Sequence, residues 1–393
     1  CMPVITVISA FSGLFGMGGA PICGVARGRG DIQEAGQVQN TSFVLLVGCG
    51  LLLTVLGEVF LTPILTLFGA SADTMPYAAG YLRIYLLGTV FVMISLGMNY
   101  FINTQGFAGT GMLTVAIGAV LNLILDPVFI FGFDMGVPGA ALATILSQAV
   151  SAAWALWFLF SRRAILRLRP RAFRWDGGRV RRITALGLSN FIALGTRAVV
   201  QIASNAPLQS FGGDLYVGVM TVLTAIREVV QMPLSGLTNG AQPVMSFNYG
   251  ASQWERVKKA IRFMTVGGIV YATACWAVLF FFPAPFVLLF NDEPALVQAA
   301  IPALHLYFFG YFMMSLQFAG QAIFVALGKS HQAIFFSLFR KIIIVVPLTL
   351  LLPRLFGLGV TGVFLAEAVS NFVGGTACFV TMYLTLYRKL GKT

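Results

Sequence analysis

Apolar and polar residues follow one another along the chain in long blocks. The apolar blocks contain about twenty residues or more, and a helix of that length, rising about 1.5 Å per residue, crosses the hydrocarbon core of a bilayer. Gly, Pro, Asn and Asp mark the turns between the blocks. The pattern predicts an all-α polytopic membrane protein with eleven spans, approximately at 3–26, 43–68, 76–104, 111–131, 138–160, 183–212, 214–248, 262–290, 297–327, 332–352 and 358–387.

Composition supports a membrane protein. Hydrophobic residues make up 58% of the chain and charged residues only 10%, with a mean hydropathy of +0.88. Soluble domains carry about 25% charged residues. The short alternation typical of outer-membrane strands is absent from the sequence.

The positions of the basic residues explain the net charge of +12. Most Lys and Arg residues fall in alternate loops, at 27–41, 161–182, 249–262 and 328–331, and in the C-terminal tail. The other loops carry mainly acids: Asp73, Asp134, Asp214, Asp292 and Glu293, with Arg354 as the exception. The positive-inside rule then places the basic loops and the C-terminus in the cytoplasm. A nucleic-acid partner is not expected.

The two halves of the chain repeat each other. A shift of 222 residues superposes Gly18, Pro21, Gly28 and Gly106 on Gly240, Pro243, Gly250 and Gly328. A shift of 223 superposes 136–143 on 359–366, with five identical residues. We therefore predict two tandem six-helix repeats, an N-terminal lobe at 1–160 and a C-terminal lobe at 183–393, joined by a basic linker at 161–182.

The repeat also accounts for the odd number of spans. The counterpart of the predicted helix 183–212 would lie wholly before Cys1. We therefore expect that the first membrane helix is missing from this sequence, so that the N-terminal lobe has five of its six helices. A natural eleven-helix protein is the alternative.

Polar residues inside an apolar stretch give the first candidate site. Asn122 and Asp126 lie one helical turn apart, so they share a face. Thr144 lies about as far beyond the following turn, at a similar depth. Pro127 cannot donate a backbone hydrogen bond, which leaves the carbonyl of Leu123 free. These oxygen-rich groups suit a proton or a hard cation such as Na⁺, or else they form a local cap at a helix end.

Other charges within the predicted spans require partners, because a charge at mid-bilayer costs at least ~2.5–3.5 kcal/mol. Glu367 corresponds to Thr144 under the 223 shift, so it is either a second ion site or a buried partner of Arg340 or Lys341. Glu228 is a further candidate for such a site, or pairs with Arg197. Arg227 then has no obvious partner and is expected to face a cavity. Glu58 has a candidate partner in Arg83.

Flexible apolar side chains are candidates for a substrate pocket, among them Met93, Met98, Met220, Met232 and Met245. His305 and His331 are isolated, and the five cysteines are scattered singly. No metal site, cofactor or disulfide framework is predicted.

Four stretches carry a family resemblance. GLFGMGGAPICGVARGRGDIQEA and GLTNGAQPVMSFNYGASQWERVKKAIRF resemble the second and eighth helices, with their loops, of the multidrug and toxic compound extrusion (MATE) family, particularly its MepA-like bacterial branch. LNLILDPVFIFGF and MGVPGAALAT are similar to the family's fifth and sixth helices. The resemblance runs from the second helix to the twelfth.

The resemblance implies a secondary antiporter, with two six-helix lobes around a central cavity and export of amphipathic compounds in exchange for H⁺ or Na⁺. It implies a monomer in the bacterial cytoplasmic membrane, whose partners are a small-molecule amphipathic substrate and the lipid bilayer. Asn122, Asp126 and Thr144 match the family's coupling-ion residues in type and spacing. The family's acid on the first helix has no counterpart here.

Three other functions make different demands on the sequence. A flippase for lipid-linked oligosaccharides would use a cationic cavity, for which Arg83, Arg197 and Arg227 are available. An intramembrane enzyme would need clustered Asp or His, as in DDxxD or HxxxH, and neither pattern occurs. A channel would need a ring of like residues or a filter loop, and neither is visible. The arginines keep open an anionic or zwitterionic substrate.

Overall fold

The computed structural model describes residues 2–68 and 74–391, so the predicted loop residue Asp73 lies outside the described part. Fifteen α-helices are assigned there: α1 Met2–Gly28, α2 Ile32–Val59, α3 Leu61–Leu67, α4 Met75–Leu87, α5 Thr89–Thr104, α6 Ala108–Pro127, α7 Gly136–Phe160, α8 Gly177–Gly250, α9 Trp254–Phe281, α10 Pro283–Leu288, α11 Pro294–Tyr307, α12 Tyr311–Ala326, α13 Ser330–Leu338, α14 Val346–Leu351 and α15 Val360–Thr385. Two π-helical segments, Val128–Gly132 and Phe339–Val345, interrupt the spans.

The number of candidate spans agrees with the sequence prediction. Within the described residues, eight helical segments are long and apolar enough to cross a membrane, and two bent pairs bring the number to ten. The longest helix, α8, is broken at Gly213, where φ is 67° and ψ is −165°. Dividing α8 there gives eleven, and the break lies at the predicted turn.

Two of the predicted spans are bent, which the sequence pattern did not indicate. The span formed by α4 and α5 is bent by 55° around Gly88, and the span formed by α11 and α12 is bent by 52° near Gly310. Gly88 and Gly310 are 222 positions apart, so the bend occurs at the same place in each repeat.

The backbone confirms the repeat at further positions. Left-handed φ values occur in pairs separated by the two predicted shifts: Gly30 and Ser252, Gly106 and Gly328, Asp134 and Gly357, Gly136 and Gly359. These are turn positions, and L-residues other than Gly rarely adopt such φ values. The two halves therefore share a chain path as well as a few residues.

Two compact units are present, residues 1–191 and 192–393, and the division falls within α8. In the first unit, α1 packs closely on the beginning of α8. A side chain at Gly187 would collide with the carbonyl of Leu14. Close backbone approach through small residues is the usual packing mode of membrane helices. In the second unit, a core around Phe308, Tyr311 and Phe364 packs α11, α12 and α15 together.

α2 begins eleven residues before the predicted start at 43, so that boundary was wrong. Asp31 caps the helix by accepting from the backbone N–H of Glu34 at 2.9 Å. The first turns of α2 contain polar residues that the apolar pattern could not recognise as helical. Gln39 and Asn40 are nevertheless buried, because they hold the predicted linker.

The basic linker is an ordered strap on the first unit. The backbone N–H of Leu166 donates to the Gln105 side chain at 2.9 Å, and the Gln105 and Gln39 amides donate to the Leu166 carbonyl. Arg169 N–H donates to Asn40 at 2.9 Å. Glu34 accepts from Arg179 and Arg182, each at 2.8 Å. The linker is therefore fixed by side chains distant in sequence.

Candidate functional site

The structure brings Asn122, Asp126 and Thr144 together in the first unit. The Nδ2 atom of Asn122 lies 3.1 Å from Oδ1 of Asp126 and 3.4 Å from Oγ1 of Thr144. Asn122 therefore bridges α6, which carries both Asn122 and Asp126, to α7, which carries Thr144. The hydroxyl of Thr144 donates to the Ala140 carbonyl at 2.9 Å. Tyr81 of α4 is a neighbour of Thr144 and is near Asp126.

The local backbone accounts for this geometry. Asn122 and Asp126 are four residues apart on one helix, so they lie one above the other. α6 ends at Pro127, and the chain continues as the π-helical segment Val128–Gly132. Short π-helical segments are frequent at functional sites. The three side chains are half-buried, so their oxygen atoms are not completely enclosed by the packed helices.

Glu367 is the centre of a buried ionic cluster in the second unit. Its Oε1 atom lies 3.2 Å from Nη1 of Arg227, 3.0 Å from Nη1 of Arg340 and 3.1 Å from Nζ of Lys341. Arg340 also donates to the side-chain oxygen of Asn371 at 2.8 Å. The pairing of Glu367 with Arg340 and Lys341 is the one the sequence offered as the alternative to an ion site.

Arg227 has partners, contrary to the sequence interpretation. Besides the ion pair with Glu367, its guanidinium carbon lies 5.6 Å from the centroid of the Tyr307 ring, within the range of a cation–π interaction. Arg227 and Glu367 are 140 residues apart, and the repeat alignment gives no indication of the pair. The Nε atom of Arg227 is buried with no hydrogen-bond partner among the described residues.

A cavity of about 60 Å³ lies beside this cluster. Its charged wall residues are Arg197, Arg227, Glu228 and Glu367. Val200, Met220, Val345 and Val363 form an apolar part of the wall. The cavity is built from both parts of α8, from α14, α15 and the end of α11, and from the π-helical segment Phe339–Val345.

The predicted ion pair between Arg197 and Glu228 is not formed. No carboxylate of the described residues lies within 4.0 Å of the Arg197 guanidinium. The two residues both border the cavity, so they are neighbours without direct contact. The sequence placed both residues deep in neighbouring spans but did not indicate the direction of their side chains. The other suggested pair is present, with Arg83 Nε 3.8 Å from Glu58 Oε2.

The methionines divide into different environments. Met220 borders the cavity, whereas Met93, Met98 and Met245 are completely buried in packing. Met232 is 68% exposed and is not part of the cavity wall. Sequence alone could not separate these cases, because methionine is common on every face of a membrane helix.

The cavity and the Asp126 cluster occupy corresponding positions of the two repeats. At the shift of 223 that relates Gly136 to Gly359, Asp126 corresponds to Thr349 and Thr144 corresponds to Glu367. Thr349 and Glu367 both border the cavity. The acid and the hydroxyl have therefore exchanged helices between the repeats.

Tandem repeats of apolar helices, each with polar groups at the same place within its spans, define the architecture of a secondary transporter. The chain belongs to the MatE family, whose model matches residues 1–128 and 191–351. Asn122, Asp126, Arg197 and Arg227 lie within the matched regions, and Thr144 lies outside them.

The sequence is similar to proteins named multidrug export protein MepA. The protein from Staphylococcus haemolyticus is 26% identical over 378 residues, which cover 95% of this chain and 82% of the relative. The one from Staphylococcus aureus strain NCTC 8325 is 23% identical over 385 residues, covering 98% and 84%. The similarity bears out the resemblance to the MepA-like branch.

Solved structures of the family have the same fold. A MATE transporter in a bent conformation superposes with a TM-score of 0.94 at 22% identity, covering all of this chain and 87% of the other. A MOP superfamily transporter from Pyrococcus furiosus gives 0.93 at 23% identity, with the same coverage. At these identities the likeness concerns the fold alone.

Proposed function

We propose that this protein is a secondary antiporter that exports small amphipathic compounds from the bacterial cytoplasm in exchange for H⁺ or Na⁺. The observation that carries the proposal is the contact of Asn122 with both Asp126 and Thr144 across α6 and α7. The names of the MepA relatives favour drug-like substrates. The basic loops and the C-terminus face the cytoplasm by the positive-inside rule, and the protein acts as a monomer.

Asp126 is the residue that takes the coupling ion. The Asn122 amide donates to Oδ1 of Asp126 at 3.1 Å, a contact that suits the ionised carboxylate. A proton or Na⁺ on that carboxylate competes with the amide for the oxygen. Asn122 is then free to bond more closely to Thr144, so the contact between α6 and α7 changes.

Coupling follows if the ion favours one conformation over the other. An ion with equal affinity for both states shifts no equilibrium. In this scheme alternating access arises because the ion-loaded form binds the exported compound less well on the outer side. Both H⁺ and Na⁺ satisfy the scheme, since each neutralises Asp126.

The test is export from proteoliposomes containing the purified protein, with ethidium, a cation, and fluorescein, an anion, as alternative substrate probes and an imposed proton or Na⁺ gradient. Asp126→Asn should abolish gradient-driven export, because the amide cannot take up a proton or balance a cation. Asp134→Asn is the matched control, since Asp134 is exposed in the loop between α6 and α7 and should export normally. Wild-type rates in the Asp126→Asn protein, at equal insertion, would rule out the assignment.

The same liposomes distinguish the flippase alternative. A lipid-linked oligosaccharide flippase would move a fluorescent lipid-linked probe between leaflets and leave the distribution of both dyes unchanged. An exporter of the proposed kind would do the opposite.

A further inference from the structure

The cavity of the second unit has an excess of positive charge. Arg197 and Arg227 border it, and Arg340 and Lys341 stand behind Glu367. Against these four cations the immediate surroundings supply two carboxylates, Glu367 and Glu228.

The Glu367 carboxylate is already occupied. One oxygen accepts from three cations, and the second accepts from Lys341 at 3.3 Å. Its side chain is only 5% exposed. A further cation at this carboxylate would meet three resident positive charges, so the position is closed to H⁺ or Na⁺.

Two guanidinium groups retain donors for another ligand. Arg197 has no carboxylate within 4.0 Å in the described part of the chain, and Nε of Arg227 is buried without an acceptor. A guanidinium presents a planar set of N–H donors that matches the oxygens of a carboxylate or a phosphate.

Neutral side chains complete the donor set. Gln201, Ser204, Thr224, Tyr307 and Thr349 supply amide or hydroxyl groups to the same cavity. A volume of about 60 Å³ exceeds what one water molecule requires and has room for a small oxyanion group. The apolar wall that includes Met220 and Val200 suits the hydrocarbon part next to such a group.

The geometry points to a binding site for the anionic group of a transported compound, a carboxylate or a phosphate held between Arg197 and Arg227. The first repeat places Asp126 where this one has Thr349, so a cation suits the first and an anion the second. The inference rests on the proposed export function. It specifies that the preferred substrates are anionic or zwitterionic amphipathic compounds.

The test measures binding without transport. The purified full chain in nanodiscs is titrated against fluorescein, an anion, and rhodamine 6G, a cation with the same xanthene core, by fluorescence anisotropy. We expect tighter binding of fluorescein. Tighter binding of rhodamine 6G would overturn the proposal.

Variants locate the site. Arg197→Gln should weaken fluorescein binding about tenfold or more, the loss expected for one hydrogen bond to a charged group, with no weakening for rhodamine 6G. Arg227→Lys keeps the charge opposite Glu367, and so the fold, but removes the planar donor set. It should also weaken fluorescein binding. Arg354→Gln is the matched control, because Arg354 is exposed and not part of the cavity wall. Unchanged fluorescein affinity in Arg197→Gln and Arg227→Lys would contradict the site.

The source of the anion is a separate arm of the experiment. Displacement of fluorescein by inorganic phosphate or acetate in zwitterionic nanodiscs would support a soluble anionic compound as the occupant. If only phosphatidylglycerol in the nanodisc weakens fluorescein binding, the anion site is supported with a lipid headgroup as its occupant. If neither the soluble anions nor the anionic lipid weaken fluorescein binding, the anion site is overturned.

Failure of this site and failure of the export function give different results. Gradient-driven ethidium export without fluorescein binding would sustain the exporter and overturn the anion site. Arginine-dependent fluorescein binding without export of either dye would sustain the anion site and overturn the export function.

Discussion

Lys341 contacts both oxygens of Glu367, with Nζ 3.1 Å from Oε1 and 3.3 Å from Oε2, and it does so from a π-helical segment. Both side chains are almost completely enclosed, at 11% and 5% exposure. The carboxylate is the common partner of Lys341, Arg340 and Arg227. The stability of this part of the second unit therefore depends on one acid.

Glu367→Gln should destabilise the protein by about 3–5 kcal/mol, because it leaves three enclosed cations without their counter-charge. The melting temperature in detergent measures the effect. Glu255→Gln is the control, since Glu255 forms an exposed pair with Lys258 and its loss should cost at most about 1 kcal/mol. The double variant Glu367→Gln with Lys341→Met should recover part of the loss. Equal melting temperatures for the two single variants would contradict the cluster's role.

Gly310 and Gly328 allow backbone strain and packing to be separated. Both have left-handed φ values, 73° and 72°. A side chain at Gly310 would collide with the ring of Phe372, whereas none of the described atoms lies within 4 Å of a side chain at Gly328. Gly328→Ala should cost about 1–2 kcal/mol from φ alone, and Gly310→Ala clearly more. Similar melting temperatures would mean that the α11–α12 bend adjusts freely.

The hydrogen bonds of the strap predict how fast trypsin cleaves it. Gln105→Leu removes the side chain that both donates to and accepts from the backbone of Leu166. The strap should therefore open at least about tenfold more often. Trypsin cleavage among the arginines of 161–182 is the measurement. Gln253→Leu, an exposed position in the second unit, should leave the cleavage rate unchanged. A strap that resists trypsin equally in both variants would show that Gln105 does not hold it.

Asp176 predicts a pH dependence at the beginning of α8. Its carboxylate accepts from the backbone N–H groups of Arg179 and Gly178, which hold the pKa of Asp176 below its usual value of 3.8. A lowered pKa means that the cap is fully present above that value and is lost as the pH falls below it. Amide exchange at Gly178–Arg182, compared with Asp176→Asn at each pH, should show protection that the wild type alone loses on acidification. If the ratio of the amide exchange rates of the wild type and Asp176→Asn is the same at every pH, the Asp176 carboxylate does not stabilise this helix start.

The spans, the repeat and the Asp126 cluster could be predicted because they depend on local patterns. Asn122 and Asp126 are one turn apart, and Thr144 follows a short turn, so spacing alone brings them together. The partner of Arg227 could not be predicted in this way. Glu367 reaches it from a helix 140 residues away, and no periodicity relates the two.

Boundaries failed where polar residues serve packing. The first turns of α2 contain Gln37, Gln39 and Asn40, which read as a loop because they are polar. Their amides hydrogen-bond to the strap, and that contact exists only in the folded unit. The predicted ion pair of Arg197 with Glu228 failed for a related reason. Depth along a helix can be counted from the sequence, but the direction of a side chain cannot.

The repeated left-handed turns have a consequence for how this protein could have diversified. The two halves keep one chain path through Gly30 and Ser252, Gly106 and Gly328, and Gly136 and Gly359. After duplication of an ancestral half, each copy could change its side chains without altering the path of the other. Acid and hydroxyl are exchanged at 126, 144, 349 and 367, so a single inherited backbone holds an acid beside an amide in one half and an acid among three cations in the other.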